Sequence, residues 1–147
     1  MISAVVDTNV AASALVRFPV PTPPVRVLVA GRQRLFTLIL SEQIFAELTR
    51  TLEQPYFRLR LTEAQRSEGV ESLRRVAMVV QITANVKGVA THPEDDLILA
   101  TAVSADADYL VTFDQGLLRL LRYQDVAIVS PKEFLDVLAA DARRQPE

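Results

Sequence analysis

The sequence contains no cysteine and a single histidine, His92. Disulfides, thiolate nucleophiles and metal sites made of cysteine or of several histidines are therefore excluded. Any bound metal ion must be held by oxygen ligands. Glycine is also scarce, and its 4 residues are scattered along the chain: Gly31, Gly69, Gly88 and Gly116. This scarcity excludes a glycine-rich phosphate loop and a dinucleotide-binding site.

Long apolar runs are missing as well. The stretch Val76–Val80 is among the longest, far below the roughly 20 residues that a membrane-spanning helix needs. The N-terminal segment reaches Asp7 before a long apolar region can form, and it has no basic residues. We therefore expect no membrane span, no secretion signal and a cytoplasmic location.

The composition is that of one folded domain. The chain has 147 residues, of which 50% are hydrophobic and 23% are charged, which excludes disordered and low-complexity classes. Its net charge of −2 argues against binding nucleic acid through bulk positive charge, although a local basic face is compatible with it. We predict a single domain over residues 1–142 and a polar C-terminal tail over residues 143–147.

Short β-prone apolar runs alternate with helical segments along the chain. Strands are predicted at residues 2–6, 36–40, 76–82, 109–112 and 126–129. Helices are predicted at residues 10–16, 25–32, 41–52, 62–75, 93–105, 116–121 and 130–142, several with a capping residue such as Ser41, Thr62, Thr91 or Ser130. This order predicts a parallel sheet covered by helices on both faces. Its functional cleft is expected beyond the carboxyl ends of the strands.

Two predicted strands are followed at once by an aspartate, Asp7 after the first and Asp114 after the fourth. Either aspartate alone is explained by capping of the next helix. Several carboxylates at one sheet edge, however, repel each other and raise their own pKa values, a cost usually tolerated where a cation binds. Oxygen ligands of this kind suit Mg²⁺ or Mn²⁺.

Further carboxylates occur in two pairs, and helix geometry alone does not decide which member of each pair faces the cleft. Asp95 and Asp96 lie in the first turn of one predicted helix, about 100° apart around its axis. Glu42 and Glu47 flank opposite borders of the apolar face of another helix. One member of each pair is expected to face the cleft.

Four segments, in this order, carry a resemblance to a known family: VVDTNV at 5–10, Ser41 to Glu47-Leu48, DLILATA at 96–102 and LVTFD at 110–114. Together they resemble the PIN-domain nucleases, and within them the VapC-like toxins of bacterial toxin–antitoxin pairs. The resemblance extends over residues 2–138. It implies an α/β protein, a three-layer α/β/α sandwich with a five-stranded parallel sheet.

The resemblance also implies an activity, a metal-dependent endoribonuclease that hydrolyses single-stranded RNA with Mg²⁺ or Mn²⁺. The residues that match the catalytic and metal-binding acids of the family are Asp7, Glu47, Asp96 and Asp114. Asn9 and Thr112 match its supporting polar residues. The implied partners are an antitoxin protein and a second copy of the chain in a homodimer. The sequence departs from the family at Phe113, where many relatives carry a small or polar residue, and at Gln115, where a further acid is often found.

Other functions fit the residues less well. A haloacid-dehalogenase-like phosphatase needs an aspartate where Asn9 stands, and a serine hydrolase would depend on His92 without the usual nucleophile turn. The alternative from a different functional class is a protein-interaction module without catalytic activity. Candidate RNA-binding side chains are Arg17, Arg26, Arg58 and Arg60, for which a solvated surface position is the alternative. Tyr56 and Phe57 are candidates for base stacking, although burial is the favoured interpretation. The apolar stretch Phe18–Val25 is either a partner contact or a proline loop packed over the core.

Overall fold

The computed structural model describes residues 1–90 and 92–145. The strands in these residues are β1 (Ser3–Val6), β2 (Thr37–Ser41), β3 (Met78–Val80), β4 (Tyr109–Val111), β5 (Arg122–Tyr123) and β6 (Val126–Val129). The helices are α1 (Thr8–Arg17), α2 (Pro23–Arg32), α3 (Glu42–Leu52), α4 (Pro55–Arg58), α5 (Glu63–Val76), α6 (Pro93–Ser104), α7 (Gln115–Leu118) and α8 (Pro131–Arg144). The predicted α/β sandwich is confirmed.

The sheet has six strands in the described residues, in the order β3-β2-β1-β4-β6-β5. The five predicted strands are all present and pair in parallel. The predicted count of five is corrected by β5, which pairs antiparallel with β6. This strand has two residues, and the turn beside it places Gln124 at φ 52°. So short a segment has no periodicity from which a strand could be predicted.

Strand β1 lies at the point where the strand order reverses. It is flanked by β2 on one side and by β4 on the other, and Val6 is in register with Val111. The Asp7 N–H continues this pairing and donates to the Val111 carbonyl at 2.9 Å. The chain segments that leave β1 and β4 therefore emerge side by side, which is where clefts form in sheets of this kind.

The core consists of the two faces of the sheet and the helices packed on them. Val6, Leu38 and Leu40 lie against apolar side chains of α1 and α2. Side chains alternate along a strand, so Val5 and Ile39 point to the opposite face. There α6 packs on β1, β2 and β4. The buried side chains of helix α6 hold it against the sheet. This packing fixes the first turn of α6 relative to the strand ends.

Most helix starts are capped as predicted. The Ser41 hydroxyl accepts the Ile44 N–H, and Thr62 and Ser130 form capping boxes. Helix α4 was not expected, and α8 continues to Arg144, two residues into the predicted tail. The predicted cap Thr91 and the tail residues 146–147 lie outside the described residues. No helix in the described part of the chain has the length and hydrophobicity to cross a membrane.

Candidate functional site

A cleft of about 290 Å³ opens at the carboxyl ends of β1 and β4. The residues that line it are Asp7, Thr8, Asn9, Glu47, His92, Glu94, Asp95, Ile98, Phe113 and Asp114. Half of them are acidic and none is lysine or arginine. We call this feature the acidic cleft.

Asp7 is the most buried carboxylate of the acidic cleft, with a relative exposure of 6%. It occupies the cap position of α1, yet its side chain makes no capping hydrogen bond. The Thr112 hydroxyl instead donates to Asp7 Oδ2 at 2.7 Å. Burial raises the pKa of Asp7, opposed by this hydrogen bond and reinforced by the charges of Asp114 and Glu47. Capping therefore does not explain this aspartate.

Asp114 has both a structural and a cleft-facing role. One of its oxygens, Oδ2, accepts the Leu117 N–H at 2.8 Å and so caps the short helix α7. Its own N–H donates to the Thr112 hydroxyl at 3.0 Å. Fully buried Thr112 thereby ties the two aspartates together, donating to one and accepting from the backbone of the other. The turn over residues 112–114 is held in one conformation by these bonds.

The structure separates the neighbours Asp95 and Asp96. The carboxylate of Asp96 is buried and accepts three backbone N–H groups of the preceding loop, those of Gly88, Val89 and Ala90, at 2.9, 3.2 and 2.7 Å. It does not line the acidic cleft, whereas Asp95 does. The predicted site residue Asp96 is thus placed against the loop backbone, and its neighbour lies beside the other acids.

The environment of Asp95 is unfavourable for its charge. Burial, reinforced by the negative charges of Asp7 and Asp114, raises its pKa to about 6. The charge of His92 acts in the opposite direction. A carboxyl group with this pKa gains stabilisation from any cation that enters the cleft.

The structure also shows which of the two glutamates of α3, Glu42 and Glu47, lies in the acidic cleft. Glu42 points to α5, where Arg74 binds it at 2.6 Å and lowers its pKa. Glu47 is half-buried and lines the acidic cleft, and it adds to the negative charge around Asp7. The guanidinium of Arg50, one turn further along α3, lies 3.9 Å from Glu47. Among the ion pairs of the described residues, this one alone includes an acid of the cleft.

The N-terminus of α1 forms one wall of the cleft. Asn9 lines this wall and is exposed. The Thr8 hydroxyl is buried and has no hydrogen-bond partner among the described residues. Buried polar groups are normally paired. The Thr8 hydroxyl is an exception to this rule among the described residues.

The donors in the acidic cleft suit a hard cation. Carboxylate and amide oxygens are the ligands that Mg²⁺ and Mn²⁺ prefer. Within residues 1–90 and 92–145, no three acidic or histidine side chains stand close enough to hold one ion directly. Mg²⁺ keeps several waters and is commonly bound by one or two carboxylates. The separation of the acids across the cleft therefore fits a partly hydrated ion.

Several residues of the cleft were not among the predicted site residues. Helix geometry does not choose between Asp95 and Asp96, and no signal in the sequence does so, because the contacts of Asp96 with the loop backbone appear only in the fold. His92 and Phe113 face the cleft because they lie next to the helix start and the strand end that form it. None of the four predicted phosphate-binding arginines lines it. On α4, Tyr56 packs against Phe57 and lies under the guanidinium of Arg60, two residues beyond the end of the helix.

The comparisons with known proteins agree with the fold. The family model for the PIN domain matches residues 3–116. No curated protein matches the chain in sequence. One similar solved structure is VapBC2 from Rickettsia felis bound to a DNA fragment from their promoter, with a TM-score of 0.60, 16% identity and coverage of 86% of this chain and 97% of that chain. Another is FitAcB from Neisseria gonorrhoeae, with a TM-score of 0.55, 22% identity and coverage of 88% and 98%.

Proposed function

This chain belongs to the PIN domain family, and from that premise we propose that it is a metal-dependent endoribonuclease that cuts single-stranded RNA. The observation that carries the proposal is the acidic cleft, which gathers Asp7, Glu47, Asp95 and Asp114 at the switch point of the sheet. Like charges are costly at such a place without a cation to neutralise them. The protein provides the arrangement that a cation and a phosphodiester require.

The residues that would hold Mg²⁺ or Mn²⁺ are Asp7, Glu47, Asp95 and Asp114, one or two of them directly and the others through water molecules bound to the ion. Asp95 takes the place of Asp96 in this set, because both Asp96 oxygens accept backbone N–H groups of the preceding loop. Divalent ions at such sites activate water and stabilise the charge of the leaving oxygen. We assign to Asp96 the task of fixing the loop and the first turn of α6.

The remaining side chains orient these acids. Thr112 holds one oxygen of Asp7, whose carboxylate lines the cleft. Asp114 keeps one oxygen in the cap of α7 and presents the other. Asn9 offers an amide at the same wall, where it supports a bound phosphate or water. Arg50 lies at the edge of the cleft, from where its guanidinium can bind a phosphate of the RNA.

We further propose that the protein is the toxin of a toxin–antitoxin pair in the cytoplasm, with an antitoxin as its partner and a homodimer as its assembly. The similarity in fold to the VapBC2 and FitAcB structures supports this role. An exposed apolar surface supports a protein partner, because Phe18 and Val20 are about half exposed. Val25, at the end of the predicted contact stretch, is buried in the core and is not part of that surface.

The test is cleavage of labelled single-stranded RNA in Mg²⁺ or Mn²⁺, with an EDTA control. We expect metal-dependent cleavage by the wild type and none by Asp7→Asn or Asp95→Asn. Asp136→Asn, an exposed acid on α8 outside the cleft, is the matched control and is expected to cleave normally. Absence of cleavage, together with no thermal stabilisation by either metal, would favour the protein-interaction module instead.

Its role as a toxin is tested separately in cells. Induced expression of the wild type is expected to arrest bacterial growth, and Asp7→Asn is expected to relieve the arrest. Cleavage in vitro without any effect on growth would support a role in RNA processing and contradict the toxin assignment.

A further inference from the structure

One apolar side chain stands out in the acidic cleft. Phe113 lies between Thr112 and Asp114, lines the cleft and has a relative exposure of 46%. The other apolar residue of the lining, Ile98, is buried at 4%. Phe113 is therefore the large apolar surface that the cleft presents to whatever enters it.

The backbone that carries Phe113 is held in place on both sides. Thr112 is fully buried and bonded to Asp7, and the N–H of Asp114 donates to the Thr112 hydroxyl. Asp114 in turn caps α7. The ring thus projects from a fixed turn, and a ligand that stacks on it does not have to order the backbone first.

We propose that Phe113 is a nucleobase-stacking site, which takes the base next to the phosphodiester that is cut. This inference rests on the proposed nuclease function and adds a specificity-determining residue to it. A single-stranded nucleic acid offers flat, unpaired bases beside its phosphates, and aromatic side chains are the usual platform for them. The exposed ring of Phe113 can contact the base of a nucleotide, and the adjacent acids, with their cation, can contact its phosphate.

The charge of the cleft makes such a contact useful. No lysine or arginine is among the residues that line it, and its acids repel RNA phosphates unless cations are present. Stacking is largely independent of that repulsion, and one stacked base contributes about 5- to 150-fold in affinity. Stacking is stronger for larger bases, so we expect a purine to be favoured at the position that contacts Phe113.

The experiment uses a short single-stranded RNA that carries 2-aminopurine, whose fluorescence falls when it stacks. Binding is measured in an Asp7→Asn background, where we expect no cleavage, with Phe113 intact or changed to Ala, Leu or Trp. Leu removes the ring but keeps an apolar surface, and Trp restores a ring. The matched control is Leu121→Ala, which truncates an exposed apolar residue outside the cleft.

We expect Phe113→Ala and Phe113→Leu to lose the fluorescence quenching and to bind about 5- to 100-fold more weakly. Phe113→Trp and Leu121→Ala are expected to behave like the parent. In the otherwise wild-type protein, Phe113→Ala should raise KM more than it lowers kcat and remove the purine preference at the cut. Its melting temperature should change little, because the ring is already half exposed.

Unchanged affinity and quenching in Phe113→Ala would overturn the inference and indicate that the ring serves a protein partner. If the wild type cleaves RNA while Phe113 has no effect, the nuclease stands and the stacking site does not. If quenching depends on Phe113 but no cleavage occurs, the stacking site stands and the proposed catalysis fails.

Discussion

The two adjacent aspartates of α6 are expected to respond in opposite ways to the same substitution. Asp95→Asn and Asp96→Asn each remove one negative charge from neighbouring positions, so each variant is the control for the other. The structure assigns the Asp95 carboxylate to the acidic cleft and the Asp96 carboxylate to three backbone N–H groups. We expect Asp95→Asn to abolish metal binding and cleavage, and Asp96→Asn to reduce stability.

The size of the Asp96 effect follows from its hydrogen bonds. Bonds to a charged group are worth about 1.5–3 kcal/mol each when buried, but water can reach part of the loop at Gly88 and Val89. Allowing about 1 kcal/mol for each of the three bonds, Asp96→Ala should cost about 3 kcal/mol, equivalent to a fall in Tm of about 6–12 °C. Asp96→Asn keeps an amide oxygen as acceptor and should cost about half of that.

Asp95→Asn is expected to leave the metal-free protein as stable as the wild type, or more stable at pH 8. In the wild type at that pH, the Asp95 carboxylate is charged, and burial together with the negative charges of Asp7 and Asp114 destabilises this charged form. Mg²⁺ at about 100 times its Kd should stabilise the wild type by about 2.7 kcal/mol, and this gain should vanish in the variant.

The assay is thermal unfolding with and without Mg²⁺, together with RNA cleavage at a temperature where both variants are folded. The assignment is refuted if Asp96→Asn keeps its Tm but loses the metal-induced shift, while Asp95→Asn retains the shift. Asp96 would then be the ligand, and the loop contacts would contribute little to stability.

Further predictions concern the same site. Thr112→Val keeps the shape of the side chain but removes its hydrogen bond to Asp7. We expect the free energy of unfolding, measured with urea, to fall by about 1–3 kcal/mol and calorimetry to show weaker metal binding. Unchanged metal binding would contradict this prediction. Burial raises the pKa of Asp7 and, for Asp95, raises it to about 6, so the folded state binds more protons than the unfolded state. The contribution of Asp95 to metal-free stability therefore falls as pH rises from about 4 through about 6, and that of Asp7 also falls as pH rises. Urea titrations should show a smaller decline in Asp95→Asn, and an equal decline would refute this. Gly88 has φ 70° with open space around it, so Gly88→Ala should cost about 1–2 kcal/mol in thermal unfolding, less than Asp96→Ala.

Much of the fold was predictable from local patterns in the sequence. The five parallel strands are short apolar runs rich in β-branched residues. Burial on both faces of the sheet, which such runs favour, is found in the inner strands β1, β2 and β4, whereas Met78 and Val79 of the edge strand β3 are exposed. The helix starts at Ser41, Thr62 and Ser130 follow from capping, an interaction within four residues of chain. The strand β5 and the helix α4 were not predicted, because two and four residues are too few to show a period.

The candidate site was predictable only in part. Asp7 and Asp114 stand at strand ends, and parallel pairing necessarily brings strand ends to one edge. The choice between Glu42 and Glu47 depends on Arg74, a residue 32 positions away from Glu42 that binds it at 2.6 Å. Contacts over that distance in sequence leave no periodic signal near the residues they affect.

The sequence by itself determined which chemistry is open to this protein, because residue types are independent of the fold. Without cysteine, and with one histidine, only oxygen-rich sites remain. The tertiary structure alone decided which oxygens are free. The Asp96 carboxylate accepts hydrogen bonds from the backbone of the preceding loop, and the Asp95 carboxylate is exposed to the negative charge of Asp7 in the cleft. A charge beside a charge is costly only once the fold has brought the two together and removed the water between them.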